Sequence, residues 1–168
     1  QVNVLTQHND NFRTGTNSNE TVLTPSNVNV NSFGKLFARA VDGQIYSQPL
    51  YVSNLTFSGK GTHNVVFVGT EHNSVYAFDA DDPNESAPIW KVNLGPPMLS
   101  SDLGSYYDIN PEIGILSTPV IDLNSQTIYV LNATKINGAY FHKLHALDLL
   151  TGQEKFGGPV TIKGSVAS

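Results

Sequence analysis

The chain contains no cysteine, one methionine and one tryptophan among its 168 residues. The missing thiols exclude disulfide staples, thiolate nucleophiles, zinc-thiolate sites and a c-type haem attachment motif. Charge is scarce too: Asp, Glu, Lys and Arg make up 14% of the residues, and the nine Lys and Arg never cluster. A nucleic-acid binder needs a basic footprint, so nucleic acid is not an expected partner. No apolar run approaches the roughly 20 residues of a membrane-spanning helix, and no membrane span is expected. A basic-then-apolar leader is absent and the chain opens on Gln1. That reads as the mature form of an exported protein, whether secreted, extracellular or periplasmic.

In place of charge the chain is rich in turn formers. Seventeen Asn, fourteen Gly and nine Pro stand among 39% apolar residues, the profile of a turn-rich β protein of one domain. Asn19, Asn54, Asn84 and Asn132 each open an Asn-x-Ser/Thr triplet and are candidate glycosylation acceptors in a chain exported by a eukaryote.

The chain also repeats itself. GQIYSQPLYV (43–52) lies over GILSTPVIDL (114–123), and NVVFVGTEHNSVYAFDA (64–80) over QTIYVLNATKINGAYFHKLHALDL (126–149). Ala77 then falls on Ala146, 69 residues on, and Trp90 of IWKVNL falls on Phe156 of EKFGGPVTI, 66 residues on. Each copy offers four short runs rich in Val, Ile, Tyr, Phe and Thr between turn residues: 45–52, 65–70, 74–79 and 89–94, then 115–122, 127–134, 141–148 and 154–162. Residues 75–79 are apolar on both alternating faces, as in a strand covered on both sides.

Tandem antiparallel four-stranded units are the signature of propeller-type blades, so the expected fold is all-β. The chain then divides into an N-terminal lead-in with a first strand (1–42), a first blade (43–94), an interblade loop (95–112) and a second blade (113–168). Residues 54–63 are expected to form a long connection inside the first blade.

HALDLLTGQEKF (145–156) resembles the docking repeat of the pyrroloquinoline quinone (PQQ) repeat propellers. That superfamily holds both quinoprotein alcohol dehydrogenases and non-enzymatic outer-membrane assembly propellers. The resemblance puts Ala146, Asp148, Thr151, Gly152 and Phe156 on the motif, with Phe for the usual Trp, and Ala77, Asp79 and Trp90 on it in the first copy. There DDPNESAP replaces the Thr-Gly turn. QHNDNFRTGTN (7–17) and LTPSNVNVNSFGKLF (23–37) are similar to the lead-in of these propellers. The motif is structural in kind: the aromatic wedges between blades, Asp and Thr bond the turn backbone, and Gly152 supplies a positive φ.

The resemblance also implies a cofactor reading, in which PQQ and calcium are held on the propeller axis. The family's carboxylate near the first blade would fall at Tyr46, and the adjacent cysteine pair of these enzymes is missing. The reading adopted is therefore no cofactor and no catalytic residue, with PQQ and calcium as the alternative. Asp79, Asp81, Asp82, Asn84 and Glu85 form an acidic stretch whose spacing departs from a calcium loop at Pro83 and Asn84, which makes it a solvated turn. Asp102, Asp108 and Glu112 raise the alternative of a glycosidase-type carboxylate pair. His142 and His145, three apart on one strand, face opposite ways and cannot share a metal; His8, His63 and His72 read as turn residues. Tyr106 and Tyr107 in the interblade loop are candidate contacts for a carbohydrate or protein ligand.

Propellers close with about four to eight blades. Two blades leave three resolutions: further blades from a longer chain, completion by other copies, or collapse into a sandwich-like pair. The functional expectation is an exported binding or scaffolding module, non-catalytic by itself. The alternatives are a fragment of a PQQ-dependent dehydrogenase and a self-assembling extracellular structural protein.

Overall fold

The computed structural model describes residues 2–104 and 108–164. Two four-stranded antiparallel sheets dominate it. The first runs in sequence order through β1 (Leu50–Phe57), β2 (Gly61–Gly69), β3 (Ser74–Asp79) and β4 (Trp90–Asn93). A small ladder of β5 (Met98–Leu99) and β6 (Glu112–Ile113) flanks a 3-10 turn at Ser100–Leu103. The second sheet repeats the meander through β7 (Val120–Asp122), β8 (Thr127–Ile136), β9 (Ala139–Asp148) and β10 (Val160–Thr161).

The two sheets are copies at the level of individual hydrogen bonds. Phe67 pairs with Leu50 and Ala77 in the first sheet, and Tyr129 pairs with Val120 and Ala146 in the second. The Ile89 N–H donates to the Ala77 carbonyl, and the Lys155 N–H to that of Ala146. Trp90 and Phe156 therefore hold equivalent positions. Asp79 Oδ1 accepts from the N–H groups of Asp81 and Asp82, just as Asp148 Oδ1 accepts from those of Leu150 and Thr151. Each aspartate closes the turn after its sheet's third strand, satisfying backbone donors that the ladder has released.

The same register fixes how the sheets stack. Val65, Phe67, Val75, Ala77 and Trp90 of the first sheet share one core with Ile121, Ile128, Val130, Leu147 and Leu149 of the second. The first-sheet positions equivalent to Ile128, Val130 and Leu147 are Val66, Val68 and Phe78, which lie on the opposite face. The back of sheet one thus meets the front of sheet two. A sandwich closed by like faces would have joined equivalent residues, so the sheets stack head to tail.

Several boundaries differ from those expected. Residues 54–63 are a hairpin rather than a long connection: β1 continues to Phe57 and turns at residues 58–60 into β2. A register shift between Val52 and Leu55, with Asn54 at φ 56°, lets the strand run on and bury Leu55 and Phe57. β1 begins five residues later than expected, and Ile45 and Tyr46 stay exposed. No strand forms among the described residues of 1–42, where a single bridge pairs Val4 with Tyr51. Residues 154–159 are mostly not strand: Glu154 bridges Leu147, and two glycines then displace the pairing until Val160 meets Leu144.

Replacing Asp148 by Ala leaves two backbone N–H groups and the Thr151 hydroxyl without their acceptor. The expected loss is about 1–3 kcal/mol of unfolding free energy, measured as a lower urea midpoint with an unchanged m-value.

Candidate functional site

Two regions collect the polar and docking residues. The first is the seam between the sheets. Trp90 is carried there by β4, whose pairing with Ala77 aims the indole across the stack. It is 9% exposed, packs on the Phe67 ring with centroids 5.8 Å apart, and donates its indole N–H to the Leu149 carbonyl at 2.9 Å. Opposite it lies Gly152, at φ 70°, where a Cβ would stand 2.7 Å from Trp90 Cε3. Both the left-handed backbone and the indole require glycine there. Ala77 and Ala146 sit at matching places in the central strands, and Thr151 Oγ1 donates to Asp148. Phe156, equivalent to Trp90, is 71% exposed and at φ 58°, so it does not wedge as Trp90 does. No described element lies beyond it to be wedged.

The second region is the loop end where the β2–β3 turn, the lead-in and the segment before β7 converge. Asp42 accepts from the Thr70 and Ser74 hydroxyls at 3.0 and 2.7 Å and from Lys91 Nζ at 2.9 Å. Burial works to raise its pKa, but Lys91, Ser74 and Thr70 outweigh it and hold the carboxyl below the usual range. Glu71 is 1% exposed; one oxygen accepts from the Gly114 N–H at 2.7 Å and the other has no partner. Burial pushes its pKa up, against the Gly114 bond and with the charge of Glu112 behind it. Asn73, also sealed, donates to the Ala133 carbonyl. Gly114 fits because any Cβ would strike the Glu71 carbonyl at 2.3 Å.

Asp102 and Glu112 are drawn to different partners. Glu112 bonds His72 through both oxygens at 2.9 Å, while Asp102 pairs with Lys135 and caps the Leu99 N–H. His142 is exposed and His145 buried on β9, the latter paired with Glu154. Among the described residues, no group of three or more His, Asp or Glu is arranged to hold a metal ion. Asp79, Asp81 and Asp82 line an open polar depression with His63; the Asn84 N–H donates to Asp82, and Glu85 accepts from the Ala87 N–H. Tyr106 and Tyr107 lie outside the described residues. Asn19, Asn54 and Asn84 are exposed, but Asn132 is not an accessible acceptor: it is fully buried, with its amide turned to the Leu94 carbonyl.

Asp42, Glu71 and Gly114 matter here, and the sequence reading missed them. Glu71 and His72, adjacent polar residues in the turn TEHNS between two strongly apolar strands, were the available signal. No protein-family model, curated protein or solved structure matches the chain.

His63 donates from both ring nitrogens, to the Lys60 carbonyl and to Asp79, an arrangement that needs the imidazolium. The Lys60 bond first and the Asp79 bond second raise its pKa. Its stabilising contribution is complete below the unfolded value of about 6.5 and disappears as pH rises through the folded one. The melting temperature should therefore fall as pH rises from 6 upward, and His63→Gln should flatten that slope. Glu71 has the opposite consequence for a substitution. A carboxyl whose pKa is raised by folding penalises the native state above its unfolded pKa of about 4.3. Glu71→Gln should raise the melting temperature at pH 7, with the gain vanishing near pH 4.

Proposed function

We propose that this chain is an exported β-propeller-type module that acts in binding or scaffolding and is non-catalytic by itself. The observation that carries the reading is the seam. Head-to-tail stacking of repeated four-stranded sheets, with Trp90 seated on Gly152, is the packing that a blade array requires. The aspartates of the repeated motif are committed to their own turns, so the motif serves architecture.

Quinone and calcium are set aside in this reading. Calcium takes six to eight oxygens, yet Asp42 already accepts from two hydroxyls and Lys91, Glu112 is held by His72, and Glu71 is sealed at 1% exposure. Tyr46, at the position where the family carries a carboxylate, offers an exposed phenol. A carbohydrate or protein ligand is the proposed occupant of the loop end, where backbone turns and paired side chains form a fixed platform.

The deciding measurement combines the chain with PQQ and Ca²⁺, singly and together. The expected outcome is no change in cofactor absorbance, no dye-linked alcohol oxidation and no rise in melting temperature. Stabilisation by the pair, following the mass-action law for a native-state ligand, would establish the dehydrogenase reading instead.

A further inference from the structure

We infer that the tip of the β1–β2 hairpin is a proton-operated latch on the loop joining β3 to β4, fastened while His63 is charged and released when it is neutral. The latch belongs to one edge of the first sheet and is independent of the scaffold reading.

Two side chains fasten the tip. Lys60, in the turn itself, reaches across and donates from Nζ to the Ile89 carbonyl at 2.8 Å. His63, near the start of β2, ties the tip to the sheet: Nε2 meets the Lys60 carbonyl at 2.7 Å and Nδ1 meets Asp79 Oδ2 at 2.5 Å. The Phe57 ring packs on the imidazole in a T-shaped arrangement. Between tip and loop runs a cleft of about 470 Å³, lined by Lys60, His63 and Asp79 and by Glu85, Pro88 and Ile89 of the loop.

Neither acceptor of His63 can return a proton. The Lys60 group is a carbonyl, and Asp79 is held ionised: burial works to raise its pKa, but the N–H groups of Asp82 and Asp81, and then His63, outweigh it. A neutral imidazole has one N–H, so losing the proton turns a ring lone pair on either the carbonyl or the carboxylate. The other charged groups around the ring are Lys60 on the tip, Asp81 and Asp82 after β3, and Glu85 in the loop. Carboxylates outnumber the ammonium, and the field favours the charged ring.

The part that yields is the tip. Asp79 is buried and tied into its own turn by two N–H donors. Residues 58–62 are exposed, Gly59 and Gly61 stand at φ 74° and 90°, and no neighbouring atom lies within 4 Å of a Cβ built on Gly59. Such a segment opens locally at little cost. Its departure takes Lys60 from the Ile89 carbonyl and loosens the exposed loop residues 81–87, while Trp90 stays pinned by Ala77 and Leu149. The Lys60 bond first and the Asp79 bond second raise the His63 pKa. The latch is therefore fully fastened below about 6.5 and opens as pH rises through the folded-state value.

The test is heteronuclear NMR of the intact chain from about pH 5 to about pH 9, with the His63 ring followed in the same samples. The amides of residues 58–63 and 85–89 should shift with the His63 midpoint, which should lie above about 6.5. Above that midpoint the amides of 58–62 should lose their rigid-backbone heteronuclear NOE, while the Trp90 indole N–H signal holds its position. His63→Gln should abolish the shared titration. Lys60→Met should leave the tip titrating and uncouple residues 85–89 from it. A His63 midpoint at or below about 6.5, a tip that stays rigid above it, or a shared titration surviving in His63→Gln overturns the inference. So does a loop that still follows the tip in Lys60→Met. Where His63→Gln fails to fold, the unsubstituted chain and Lys60→Met decide between these outcomes.

Discussion

Everything in this molecule is arranged around one contact, the indole of Trp90 lying on Gly152 with its N–H turned to the Leu149 carbonyl. A four-stranded antiparallel sheet of this size cannot bury both of its faces alone. The wedge lets the back of one sheet serve as the cover of the next, and the hydrophobic core from Leu50 to Leu149 forms around it. An aromatic side chain of this kind removes about 150–250 Å² from water, and its one polar atom is satisfied, so burial carries no unpaired donor.

The two capping aspartates show how a local motif supports a distant contact. Asp148 holds the Leu150–Thr151 turn through three bonds, and that turn delivers Gly152 to the indole. Asp79 does the same for a longer turn, which presents Pro83 instead. At the other end of the stack Asp42 ties the lead-in to the β2–β3 turn through Thr70 and Ser74 and to β4 through Lys91. The two ends of the first sheet are therefore held by different chemistry: a closed aspartate turn at one, a cross-linked polar hub at the other.

Much of this was legible in the residues. The equivalence of Trp90 and Phe156 follows from repeat spacing and the two-sided burial of residues 75–79 from strand periodicity, while the turn roles of Asp79 and Asp148 follow from the resemblance to the docking repeat. Boundaries failed where a backbone irregularity intervened: a bulge at Asn54 moved β1, and the glycines at 157 and 158 postponed β10. The loop-end cluster was illegible for a different reason. Nothing in TEHNS says that its glutamate is sealed under Gly114, because the covering residue comes 43 positions later. Nor did the Asn132 triplet reveal that its asparagine faces Leu94 inside a seam.

The outer faces of the two-sheet stack are unlike: Val41 of the lead-in lies over Val68, Tyr76 and Phe78 on one, while the other leaves Val120, Leu144, Phe156 and Val160 in solvent. The stack therefore has a direction, and the cost of wetted apolar surface falls on one side of it.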